Sequence, residues 1–346
     1  MRVTLGAMML LCQCGVGVAA APAYAQAQPV PGRLARAIAL DTPSPYATNA
    51  MLLQRLLSPR RRERERILLE AGGDELAPYP LDLGAEHFAL YVPRQRPAAG
   101  YGLLVFIPPW QDAHLPMGWD HGLDRAGIIF VSAAQSGNDE SIPARRIPLA
   151  LTAAYALARK YQIDPDRIFV GGFSGGSRVA LRVALAYPDI FAGVLLDAGS
   201  DPVGTDDIPL PGRALMDILQ TRTRFVFVTG AMDAVNLAKD METRLSLSSW
   251  CIEPTRSFEV PNVGHDVTDA AGLSAALDAL TGPHRSDPAR SARCRAALDA
   301  RLAQARADAA ALHALPPTAA TDAALDRLDR TYGALLEPAP PVISPH

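Results

Sequence analysis

The sequence predicts a doubly wound α/β domain, and three observations carry that prediction. Short apolar runs alternate with amphipathic stretches from about residue 100 to 280. The apolar runs are continuous rather than alternating, so their strands are buried on both faces; that is the pattern of a mostly parallel sheet with helices on both sides. One run ends in a glycine-rich serine turn that leads directly into a helix.

Bulk properties agree. Of 346 residues, 49% are hydrophobic and 20% charged, which suits a globular chain and excludes wholesale disorder. A net charge of −3 gives no global field that would draw nucleic acid or anionic lipid. No apolar run of 18 or more residues follows the N-terminal segment, which excludes a multi-span membrane protein.

Each segment has its reason. Residues 1–25 read as a signal peptide: Arg2, the uncharged stretch Leu5 to Ala21, then Ala23-Tyr24-Ala25 as a small-x-small cleavage site. The expectation is an exported protein, periplasmic or secreted, with no stable membrane anchor after cleavage. Two cysteines would remain, Cys251 and Cys294. In an oxidising compartment an even pair suggests a disulfide; the alternative is two buried free thiols.

Residues 26–84 read as a linker and N-terminal helical segment. Positions 26–50 are rich in Pro, Ala and Gln, and 48–71 look helical. The charge run Arg60 to Arg66 within them reads as a solvated helix face. Residues 85–281 form the α/β unit. Strands are expected at 88–92, 103–107, 127–131, 167–170, 191–196, 225–228 and 257–260, and helices at 147–161, 175–187, 235–247 and 267–280. Residues 282–336 read as a C-terminal appendage, helical from 294, and 337–346 as a disordered tail.

The most informative stretch is Gly172-Phe173-Ser174-Gly175-Gly176, a G-x-S-x-G motif between a buried strand and an amphipathic helix. The turn pushes the serine Oγ above the sheet edge, and bulky residues two before or two after would collide there. The helix start places N–H dipoles near a developing oxyanion.

A serine needs a base. His265, in the loop after the strand-like Phe258-Glu-Val260, is the candidate; His284, in a polar linker, fits less well. The third group must hold the imidazole in the right tautomer. Asp233, just beyond Phe225-Val-Phe-Val228, is favoured, although an aspartate there could equally cap the next helix. Asp266 competes, but adjacency to His265 makes its geometry awkward. The oxyanion hole needs two backbone donors. Gly175 supplies one. Pro108 and Pro109 have no N–H, so the other falls to Trp110, with Gln111 as second choice. The Trp110 ring could also wall the substrate pocket.

Ser174…Asp233…His265 is the chain order of α/β-hydrolases, and residues 85–280 resemble that fold. Ile163-Asp-Pro-Asp-Arg167, the serine elbow and Ala186-Tyr-Pro-Asp-Ile-Phe-Ala192 resemble secreted polyhydroxybutyrate-depolymerase and feruloyl-esterase-like serine esterases. The resemblance implies catalytic roles for Ser174, Asp233 and His265, and a small-molecule or polymer-bound ester as substrate. One departure is visible: Pro108-Pro109 stands where relatives usually carry His-Gly. A peptidase of the same fold and a non-catalytic hydrolase-fold binding protein are the competing expectations. No cofactor is expected, and no metal, because Cys251 and Cys294 lack metal-ligand spacing.

Overall fold

The computed structural model describes residues 29–72, 81–283 and 287–337. The stretch expected as a signal peptide, His284 and the tail after 337 lie outside the described residues. Among the described residues, one sheet of eight strands runs in the order β1-β2-β4-β3-β5-β6-β7-β8. The strands are β1 (Leu34–Ile38), β2 (Phe88–Tyr91), β3 (Tyr101–Ile107), β4 (Ile128–Ala133), β5 (Ile163–Phe173), β6 (Gly193–Asp197), β7 (Arg224–Gly230) and β8 (Thr255–Val260). β2 pairs antiparallel with both its neighbours, and the pairs from β4 to β8 are parallel. This mostly parallel sheet, with Ser174 at the end of its central strand β5, is the α/β-hydrolase fold.

Burial explains the continuous apolar runs. Along β3, Leu103, Val105 and Ile107 join one core layer, while Leu104 and Phe106 join the other. Helices α4 (Ile147–Lys160) and α5 (Gly175–Ala186) cover the first face; α3 (Trp119–Ala126) and α8 (Ala270–Thr281) cover the second. Strands β2, β3, β4, β6 and β7 therefore have almost no polar face to show, and the sequence there needs no period-two alternation.

The structure moves several boundaries. The stretch expected as linker contains β1, which pairs with β2 at the sheet edge, so the sheet begins well before residue 85. The expected 48–71 helix is two helices, α1 (Asn49–Leu56) and α2 (Pro59–Glu70). Pro59 divides them: a proline in the first turn starts a new helix and cannot continue an old one. Two short helices, α3 and α6 (Arg213–Thr221), lie in stretches where no helix was expected. The C-terminal region is α9 (Pro288–His313) and α10 (Ala319–Leu336), so helix starts six residues earlier than the expected 294.

The added helices are joined firmly to the hydrolase unit. Arg55 of α1 makes a bidentate ion pair with Asp189, 2.8 Å at each contact, and also donates to Ala186 O. The charge run on α2 is not simply solvated: Arg60 and Arg64 pair with Asp326 of α10, and Arg62 with Glu337. A Cys251–Cys294 disulfide ties the chain just after α7 (Ala234–Ser249) to α9, with Cα atoms 5.7 Å apart. Among the described residues no helix is long and apolar enough to cross a membrane.

Candidate active site

Ser174 sits between β5 and α5 with φ 53° and ψ −120°. That positive φ is unusual for a residue with a Cβ and costs energy. The surroundings hold it. The Ser174 N–H donates to Asp197 O at the end of β6, 2.8 Å away. A Cβ on Gly172 would lie 2.6 Å from Ile107 O, and one on Gly176 would collide with the same oxygen. Both glycines are thus required by close approach of backbones, as the motif implies.

The two loops beyond β7 and β8 bring the remaining groups in. They are pinned together by Ala231 N–H to Val260 O and Met232 N–H to Val263 O, each 2.9 Å. His265 Nε2 lies 2.9 Å from Ser174 Oγ, and His265 Nδ1 lies 2.7 Å from Asp233 Oδ2. Asp266 is turned away, its carboxylate accepting the N–H of Val267. Asp233 does both things the sequence allowed. Its Oδ1 accepts the N–H of Asn236 at 3.2 Å and caps α7, while its Oδ2 faces the imidazole. Burial pushes the Asp233 carboxyl up, but hydrogen bonds from Asn236 and His265 outweigh it and hold the group below the usual carboxylate range.

Gly175 is the first residue of α5, so its N–H has no intrahelical carbonyl to meet. The loop after β3 is clamped. Arg146, 2% exposed, donates to Pro108 O and to Ser136 O, both at 2.9 Å, and Asn138 N–H donates to Pro109 O at 3.0 Å. Burial pushes the Arg146 guanidinium down to about 10. Trp110 follows in this loop. Its ring stacks on His114 at 4.7 Å and lies 6.1 Å from Phe173, which in turn lies 5.0 Å from His265. An aromatic layer therefore runs beside the serine.

Three participants in this geometry were not singled out from sequence. Asn236 touches both Asp233 and His265. His114 backs Trp110. The Asn138 amide lies so close to Gly175 that a Cβ there would strike it. None belongs to a recognisable motif; only the capping position of Asn236, three residues after Asp233, was a local signal. A cavity of about 210 Å³ lies elsewhere, between α1, α2 and the loop 206–211, lined by Leu52, Leu56, Arg182 and Ile208 rather than by the serine and histidine.

No family model matches the chain. A poly(3-hydroxybutyrate) depolymerase of Ralstonia pickettii is 28% identical over 98 residues, 24% of this chain and 20% of that one. A protein named as an esterase, NocK of Nocardia uniformis subsp. tsuyamanensis, is 49% identical over 41 residues, 12% of each chain. The matched stretches thus span 20% and 12% of these curated relatives. Among solved structures, a ferulic acid esterase aligns with a TM-score of 0.40 at 15% identity, covering 56% of this chain and 88% of that one. An S-formylglutathione hydrolase from Staphylococcus aureus aligns at 0.44 and 13%, covering 57% and 91%.

Proposed function

We propose that this chain is an exported serine hydrolase that cleaves carboxylic esters through an acyl-enzyme on Ser174. The observation that carries the reading is the hydrogen-bonded series Ser174, His265, Asp233 at a strained strand-to-helix turn. Ser174 Oγ attacks the ester carbonyl carbon while His265 Nε2 takes its proton. Asp233 keeps the Nδ1–H tautomer and stabilises the imidazolium. The carbonyl electrons move onto oxygen, and the N–H groups of Gly175 and Trp110 donate hydrogen bonds to that oxyanion. The tetrahedral adduct collapses, and His265 returns the proton to the leaving alcohol. Water, deprotonated by the same nitrogen, then releases the acid and regenerates the serine.

The Trp110–Phe173 layer forms one wall for the acyl or alcohol group. His265 is 45% exposed at its side chain, which suits an open site that a bulky or polymer-bound ester can reach. The disulfide is compatible with an oxidising compartment. The test uses short p-nitrophenyl esters with Ser174→Ala. Turnover is expected to fall by about 10³-fold or more. Undiminished turnover would sink the reading.

A further inference from the structure

Helix α5 carries more than the nucleophile. One turn after Ser174 it presents Arg178, whose backbone N–H donates to Ser174 O at 3.3 Å. The Arg178 guanidinium donates through Nη2 to Asn236 Oδ1 at 3.2 Å, and through Nε to Asp201 Oδ1 at 3.3 Å. Asn236 is 6% exposed, and its Nδ2 donates to Asp233 Oδ2 at 2.7 Å. That nitrogen is also 3.1 Å from His265 Nδ1.

The chemistry of the donors fixes the orientation of this amide. A guanidinium has only N–H donors, so it must face the Asn236 oxygen, and the amide nitrogen must then face the carboxylate. Asp233 Oδ2 and His265 Nδ1 are 2.7 Å apart and would be two facing acceptors without a proton between them. The proton therefore sits on Nδ1 and points to Asp233. Nε2 is left free to accept from Ser174.

We propose that Arg178 and Asn236 are positioning residues for the reaction: with the triad they close a ring of hydrogen bonds that begins and ends on α5. The ring runs Ser174, His265, Asp233, Asn236, Arg178 and back through one helical turn to Ser174. It ties the end of β5, the loop after β7 and the loop after β8 to a single rigid helix. The carboxylate cannot turn away from the imidazole without breaking the Asn236 bond, and the amide cannot flip without facing Arg178 with its own donors. The proposal rests on the serine-hydrolase reading for its effect on rate. Its structural content stands apart from turnover.

The test has two arms. In the first, kcat and KM are measured on a short p-nitrophenyl ester for Asn236→Ala, Arg178→Met, Arg178→Lys and the Asn236→Ala/Arg178→Met double variant. A misplaced base costs rate rather than binding, so each disruptive single variant should lose about 10²-fold in kcat, with KM held within about twofold. Arg178→Lys, which keeps a donor for the Asn236 oxygen, should recover most of the loss. Because the two residues act in series, the double variant should be no worse than Asn236→Ala alone. In the second arm, the His265 Nδ1–H resonance is followed by NMR in 15N-histidine-labelled protein on a Ser174→Ala background, where turnover plays no part. Asn236→Ala and Arg178→Met should each move or broaden it. A resonance unmoved by both, or losses in kcat that add in the double variant, would overturn the ring. If Ser174→Ala still turned over the ester, the hydrolase reading would fail, while the resonance would continue to decide the ring.

Discussion

At the scale of single residues, Asp233 meets two partners with one side chain. Its two oxygens divide the work: Oδ1 caps α7, and Oδ2 faces His265. Asparagine is about as good an N-cap as aspartate, but it carries no charge to stabilise an imidazolium. Asp233→Asn should therefore keep the cap and lose only the modest stability tied to the ionised carboxylate, while lowering kcat by about 10⁴-fold. Thermal melts beside ester kinetics check the split; parallel losses in both would assign Asp233 to the helix alone. The depressed carboxyl also has a sign. Its contribution to stability is present above the unfolded pKa and lost as pH falls through the lower folded value. The candidate triad was legible because its members sit at strand ends in a fixed chain order. Asn236 was not, because its meaning depends on Arg178, 58 residues earlier, and on a helical turn that only the fold brings to it.

At the scale of elements, β6 and α8 meet at Asp197. This carboxyl is 1% exposed and accepts the N–H of Thr268, just before α8, at 2.9 Å. Burial pushes it well above the usual carboxylate range, against the Thr268 hydrogen bond, and neighbouring Asp240 and Asp266 add to the rise. The folded state thus holds a proton that the unfolded chain releases above pH ~3.9. Stability from this group falls as pH rises from that value through the folded pKa. An asparagine in place of Asp197 would keep an acceptor for Thr268 and carry no buried charge. We expect Asp197→Asn to melt higher than the parent at alkaline pH, by about 2 °C or more, with the gap closing toward pH ~4. Melts across a pH series decide it; a gap that does not vary with pH would contradict the burial argument. Elements were legible where apolar runs were long. They were missed where the element is short and its residues mixed. The edge strand β1 reads Leu-Ala-Arg-Ala-Ile, and α3 carries Asp120, Asp124 and Arg125 around Gly122.

At the scale of the whole molecule, the sequence made the hydrolase unit plain and the extensions look detachable. The structure gives the extensions specific attachments. The Arg55–Asp189 pair is buried on both sides, so losing either partner would leave an unpaired interior charge, a costly event. The α2–α10 ion pairs are more exposed and contribute less. These contacts were illegible because each joins residues more than a hundred positions apart, and no local pattern records such pairing. The disulfide is the strongest of the ties. It closes a loop with a sequence separation of 43, for which the chain-entropy estimate is about 4 kcal/mol. Replacing both Cys251 and Cys294 by alanine should lower denaturant stability by up to that amount while leaving KM unchanged. Equal midpoints for the two proteins would show that the helices hold without it.

The residues enclosed by that bond include β8, His265 and α8. The segment bearing the imidazole is thus a covalent hoop rather than an open stretch of chain. A protease that cut once anywhere between Cys251 and Cys294 would open the backbone but release nothing. The two pieces would migrate together on a gel until a reductant parted them. The molecule carries His265 on a part of the chain that a single cut cannot shed.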